Sequence, residues 1–399
     1  MPVGPVRKIL AIALVSCIGT GLWLGSFVLF LTRSVDLAPQ QVGFGALIAG
    51  VVGIVAATPA GMLADRFGYR RVLFVLYLCG GLATVLYVVV HHFWPYVLAA
   101  CLLALATESS MGVRTALTTV VTDDERQMSV LAQSRVMAQI GLAIGAAGAA
   151  VVIQLDTRAA YVTMLTATAL SFLICAALVT RLPASPLPTP ERRRPGSVLA
   201  DRPYLLVTAL IAVLTLNWGM LSTGIPLWVV HHTEAPRWAS AAIVVLNALA
   251  IAVLQVRFSR PAESTRGSMR AARHAGLLLA LACLTLASTA GGRGVGVITL
   301  LLLAACIHVL GELLYVAASW GLSITLMPAE ARGEYQGMNA AGLALAQAFA
   351  PLVMTTLIVD RGRTGWLVLA IVFATAGMAL TPAANWALRT RPTSPAATG

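Results

Sequence analysis

The stretch Gly61-Met62-Leu63-Ala64-Asp65-Arg66-Phe67-Gly68-Tyr69-Arg70-Arg71 sits where two apolar runs meet, 42–63 and 72–90. Charge is costly in hydrocarbon, so a short arginine-rich turn holding one aspartate and two glycines belongs at a membrane surface. The same alternation repeats outward from it along the chain. Of the 399 residues, 59% are hydrophobic and 11% charged, against about 25% charged in a soluble domain. Apolar stretches lie at 9–31, 42–63, 72–90, 94–120, 128–153, 159–180, 203–230, 238–258, 272–290, 295–325, 335–359 and 364–388. Each is near the ~20 residues that cross a hydrocarbon core of ~30 Å. With no water to satisfy the backbone, such spans must be helical. The expected class is an all-α membrane protein of about twelve transmembrane helices.

The net charge of +12 marks topology rather than a nucleic-acid partner. With both termini taken as cytoplasmic, the outside faces keep Arg33, Arg158, Arg237, Arg293, Arg361 and Arg363. Arg114 and Arg135 fall within spans, and the remaining basic residues lie on the cytoplasmic side. That bias is the positive-inside pattern; its implied partner is anionic lipid. Cys17, Cys79, Cys101, Cys175, Cys283 and Cys306 all fall inside spans and read as packing residues. Leu14-Val15-Ser16-Cys17 imitates a lipoprotein processing site, but the apolar run continues past it and reads as the first helix. Trp94 and Trp366 read as interfacial anchors. His91-His92 and His231-His232 lack a nearby carboxylate or cysteine, so no metal is expected.

The longest polar interruption is 181–202, with Pro183, Pro186, Pro188, Pro190, Pro195 and Arg192-Arg193-Arg194. It reads as a cytoplasmic linker between a half at 1–180 and a half at 203–399. A faint repeat agrees: Asp124-Glu125-Arg126 follows the fourth span and Glu330-Ala331-Arg332 the tenth.

The 61–71 stretch resembles the signature between the second and third helices of the major facilitator superfamily, Gly-x-Leu-Ala-Asp-Arg-x-Gly-Arg-Arg. Tyr69 stands where the family often has a basic or small residue. The resemblance implies the major facilitator fold, two pseudo-symmetric six-helix halves around a mid-membrane site. It also implies that Gly61, Asp65, Arg66, Gly68, Arg70 and Arg71 form a gating loop that latches the halves. Asp65 then pairs with Arg66 or Arg70, or accepts from the N-terminus of another helix. The competing reading is that the arginines only anchor topology.

Glu108 and Glu312 fall near the middle of their spans, where a charge costs about 2.5–3.5 kcal/mol and usually marks an ion or substrate path. His308, Glu312, Tyr315 and Ser319 share one helical face. They form either a proton relay or a static network joining helices; Glu108, Glu312 and His308 are the proton-coupling candidates. Arg114, six residues after Glu108, projects ~120° away from it. It binds an anionic substrate, neutralises a carboxylate on another helix, or snorkels to the headgroups. The family's helix-four arginine usually sits earlier, and 102–106 has none. Gly141-x-x-x-Gly145-x-x-Gly148, after Arg135 and Gln139, resembles an exporter-associated element, with Ala146 replacing its proline. The same spacing also serves close helix packing. In this fold the cavity is lined by spans one, four, seven and ten, which brings Trp23, Asn217, Trp218 and Tyr315 forward for substrate contact.

No Walker loop occurs and Lys8 is the sole lysine, so an ATP-driven pump is excluded. No catalytic residue and no cofactor is expected. The expected function is proton-coupled efflux of a small organic drug or metabolite by a monomer in the plasma membrane. The alternative is proton-coupled uptake of a nutrient.

Overall fold

A computed structural model describes residues 4–183, 197–236 and 238–390. Twelve helices are long and apolar enough to cross a membrane: α1 Gly4–Leu24, α2 Gln40–Phe67, α3 Tyr69–Val89, α4 Phe93–Val121, α5 Arg126–Leu155, α6 Arg158–Thr180, α7 Arg202–Val229, α8 Ala242–Glu263, α9 Thr265–Ser288, α10 Gly294–Leu326, α11 Arg332–Ile358 and α12 Arg363–Arg389. Most of the expected linker, including Arg192-Arg193-Arg194, lies outside the described residues, as do Arg237 and Arg391. Near its end Ser197–Ala200 forms a helical turn where coil is expected. Asp201 then starts α7 by accepting the Tyr204 N–H at 3.1 Å, a capping geometry that short carboxylates favour.

The helices gather into two compact units. The first contains α1–α6 together with Pro328–Ala344, which includes the start of α11; the second contains α7–α10, the rest of α11 and α12. Large apolar side chains remain bare on lipid-type faces, as with Leu47, Val51 and Val55 of α2 and Val245, Leu249 and Val253 of α8. Such faces are stable when the surrounding solvent is hydrocarbon.

In the first unit α1 runs along α5 in backbone contact. A Cβ on Gly145 would lie 2.8 Å from the Gly21 Cα and from the Leu22 nitrogen, so only glycines allow this approach. Gly141 and Gly148 lie on the same side of α5, against Cys17 and Leu22. Beyond the α1 span the helix continues to Leu29 and closes in a π turn, Phe30–Ser34. There Arg33 forms an ion pair with Asp156, and the Tyr161 hydroxyl donates to the same carboxylate at 2.7 Å. Asp156 ends α5 in the left-handed region, φ 42°, which Asp tolerates better than most residues. The Tyr161 hydroxyl above all, and then Arg33, hold the Asp156 carboxyl below the usual carboxylate range. At the opposite end Lys8 donates to the Arg181 carbonyl, tying the start of α1 to the end of α6.

In the second unit α7 is broken. Regular helix ends at Thr215, and a π turn at Met220–Gly224 precedes the segment Ile225–His232. Pro226, at the start of that segment, lacks an N–H and crowds the carbonyl four residues back, which accounts for the widened turn. Trp366, expected as an interfacial anchor, is instead fully buried. Its ring meets that of Trp228 edge-on at 5.8 Å. Trp94, by contrast, is 72% exposed. The His232 Nε2 bonds the Ile358 carbonyl at 3.1 Å.

Candidate functional site

The charged stretch that opened the sequence reading is almost entirely helix. α2 continues to Phe67 and α3 begins at Tyr69, so the expected loop contracts to Gly68 alone, at φ 93°. Good helix formers carry α2 through Met62-Leu63-Ala64. The reversal needs only one residue that adopts positive φ freely.

Asp65 takes the helix N-terminus rather than an arginine. Its Oδ1 accepts the Gly333 N–H at 2.7 Å and its Oδ2 the Glu334 N–H at 2.8 Å. These are orphan donors of the first turn of α11, where the dipole favours an anion. Tyr69 adds its hydroxyl to the same carboxylate, so the position at which this sequence departs from the family pattern supplies a third donor. The contact requires Gly61 and Gly333: a Cβ on either would collide with the carbonyl oxygen of the other. The arginines have other partners. Arg66 lies 5.3 Å over the Phe67 ring, Arg70 donates to the Leu182 carbonyl at 3.0 Å, and Arg332 donates to the Thr119 carbonyl at 3.2 Å.

The second unit brings four of the sequence candidates, Glu312, His308, Asn217 and Tyr315, into one buried polar string, with Trp218 beside it. Glu312 and His308 of α10 are 3% and 1% exposed. The Asn247 side-chain amide of α8 donates to the Glu312 carboxylate at 2.7 Å. The His308 Nε2 stands 3.1 Å from the Asn217 carbonyl of α7. A carbonyl only accepts, so Nε2 carries a proton and Nδ1 is the nitrogen that gains or loses one. The imidazole is within electrostatic reach of Glu312, one turn further on. Tyr315 shares a hydrogen bond with Thr215 at 2.6 Å and meets the Trp218 ring edge-on at 6.0 Å. The Asn217 amide nitrogen donates back to the Leu214 carbonyl at 2.7 Å, while its Oδ1 is buried without a hydrogen-bond partner. Asn247 was missed in the sequence. Its signal was present as an uncharged amide inside an apolar span.

The first unit keeps its candidates apart. Glu108 is half-buried, its side chain against Gly53 of α2, and it has no hydrogen-bond or ion-pair partner among the described residues. Arg114 does not reach it and donates instead to the Ser16 hydroxyl of α1 at 3.0 Å. Trp23 is half-buried, stacked on Phe27 at 5.4 Å and tilted against Tyr87 at 4.5 Å. Gly141, Gly145 and Gly148 serve the α1–α5 contact. Among the described residues no group of three His, Cys, Asp or Glu side chains converges as a metal site would.

Solved structures share this fold at low sequence identity. A bacterial homologue of the iron transporter ferroportin, in an outward-facing state, superposes with a TM-score of 0.77 at 14% identity, covering 97% of this chain and 100% of that one. The human organic anion transporter MFSD10 (TETRAN) gives 0.71 at 14%, covering 94% and 98%. The E. coli fucose:proton symporter FucP gives 0.68 at 14%, covering 98% and 99%. No curated protein matches the sequence. The sequence model of the Major Facilitator Superfamily matches residues 9–351. With its twelve spans, the chain is a multi-pass membrane transporter that belongs to the Major Facilitator Superfamily.

Proposed function

We propose that this transporter exports a small organic drug or metabolite in exchange for protons. It works by alternating access about a mid-membrane site, as a monomer in the plasma membrane with both termini cytoplasmic. The observation that carries the reading is Glu312: a buried carboxyl at mid-span, held by Asn247, with a singly donating imidazole one turn away. A carboxyl and an imidazole in that relation accept and release protons, whereas an apolar span built only for packing has no need of either. Glu108, the unpartnered carboxyl of the first unit, is the second proton site. Asp65 and the start of α11 are the contact that breaks as the carrier changes face.

Uptake by symport is the competing direction, favoured by the fold shared with the fucose:proton symporter and the proton:xylose symporter XylE. Purified protein in proteoliposomes distinguishes the two. A panel of anionic, neutral and cationic organic compounds is added while lumenal pH is followed, with wild type against Glu312→Gln. Compound-driven proton release that disappears in the variant supports exchange. Proton movement in the same direction as the compound supports symport. Compound movement without any proton flux refutes both.

A further inference from the structure

Arg114 has three sequence-level explanations, and the structure removes two. It does not neutralise a carboxylate: Glu108 lies six residues away on another face, and no ion pair joins Arg114 to any described acid. It does not snorkel. Arg114 stands ~10 Å from Val121, the nearer end of α4, whereas its partner Ser16 stands ~18 Å into α1 from Gly4. The side chain therefore reaches toward the middle of the span. Its Cβ already leans that way, because side chains tilt toward the N-terminus of their helix.

What remains is a guanidinium inside the first unit without a counter-charge. It stays protonated at any physiological pH and carries five N–H donors. Its well-formed hydrogen bond goes to Ser16, whose own proton is used on the Ala13 carbonyl at 3.2 Å. The Tyr77 hydroxyl stands against the same guanidinium. It is buried and makes no well-formed hydrogen bond of its own. Unused donors and an orphan phenol converge on one place, and no acid is there to receive them.

We propose that Arg114, Ser16 and Tyr77 form an oxyanion subsite, and that the cargo is a small organic anion bearing a carboxylate, sulfonate or phosphate. Guanidinium donors match such groups in pairs, and the phenol adds a further donor. Ser16, Thr20 and Trp23 succeed one another at helical spacing along one face of α1, which sets Trp23 ~10 Å along the helix from the charged head. The subsite rests on the transport reading only in taking its occupant to be cargo.

Cys17, half-buried and within electrostatic reach of Arg114, is a reporter that needs no known substrate. The other five cysteines are replaced, and folding is checked by thermal unfolding in nanodiscs. Cys17 is then labelled with sulfonatoethyl methanethiosulfonate, an organic anion, or with its trimethylammonium counterpart. The same thiolate attacks both reagents, so their rate ratio, divided by the ratio for a free thiol in solution, reads local charge and cancels thiol reactivity. Relative to that free thiol, the anionic reagent is expected to be favoured about tenfold or more, with a rate that saturates as the subsite fills. Arg114→Lys keeps that preference and Arg114→Gln abolishes it. Should Arg114→Gln fail to fold, the ratio and saturation in the unsubstituted background decide. No gain for the anionic reagent over the free-thiol ratio, or no labelling by either, overturns the subsite. Turnover does not enter the measurement. Unchanged proton flux in Glu312→Gln would therefore sink the coupling reading and leave this result standing.

Discussion

Replacing Asp65 with Asn removes the anion at the start of α11 while keeping the side chain's shape. The carboxylate gives one oxygen to each of the Gly333 and Glu334 amides. The amide keeps a single acceptor and turns an NH₂ toward the other donor. One hydrogen bond to a charged group is lost, worth about 1.5–3 kcal/mol, along with a dipole contribution of about 0.3–1 kcal/mol. Asp65 is only partly buried, which keeps the expected total near 1.5–3 kcal/mol. At about 1.4 kcal/mol per tenfold, the docked start of α11 then opens roughly 10- to 150-fold more often. Hydrogen–deuterium exchange over residues 328–340 reads this directly, since exchange of the two amides follows the population of the open form. Transport should fall sharply while membrane insertion and overall melting stay close to wild type. Unchanged protection of Gly333 and Glu334 would refute the capping argument, and unchanged transport would remove Asp65 from the cycle.

Asn247→Leu leaves the buried Glu312 carboxylate without its amide donor and is expected to lower stability by about 1–3 kcal/mol. Asn247→Leu/Glu312→Leu should recover most of that loss in thermal unfolding, because it removes the buried carboxylate that the single variant strands; a double variant no more stable than the single one argues against the pair. The Arg33–Asp156–Tyr161 cluster sets a pH dependence of known sign. Asp156 titrates below its ordinary range in the folded protein. Its contribution is therefore complete above the unfolded value of about 3.9 and is lost as pH falls through the lower, folded value. The melting difference between wild type and Asp156→Asn should be constant at neutral pH and shrink only below about pH 4; a difference that vanishes by pH 6 contradicts the assignment.

The twelve spans were legible because hydropathy over ~20 residues is a local property. The charged stretch at 61–71 was drawn too large as a loop. Arg66 and Phe67 still extend α2, and only Gly68 has a conformation that helix cannot supply. The partner of Asp65 lies 268 residues further on, and nothing near Asp65 encodes it; the sequence offered a helix N-terminus as one of three choices without naming which. Tyr69 read as a departure from a pattern because its role depends on a carboxylate one turn earlier already being turned toward it. Asn247 escaped because ionisable groups, not amides, drew attention inside the spans. Trp366 misled for the opposite reason: a tryptophan near a span end looks the same in sequence whether it faces headgroups or another ring.

Ties at both ends of α1 have a mechanical result. Lys8 fastens it to the end of α6, Arg33 fastens its far side to Asp156 between α5 and α6, and glycine contact with α5 leaves no slack along its length. These three helices can tilt only together, as one stiff slab. A disulfide engineered between α1 and α5 should therefore leave the carrier cycling freely, whereas helices lacking such fastenings are where bending has to occur. Whatever Ser16 and Trp23 touch is gauged by a ruler of fixed length, so cargo would be sorted by size along that slab as well as by the chemistry of its head group.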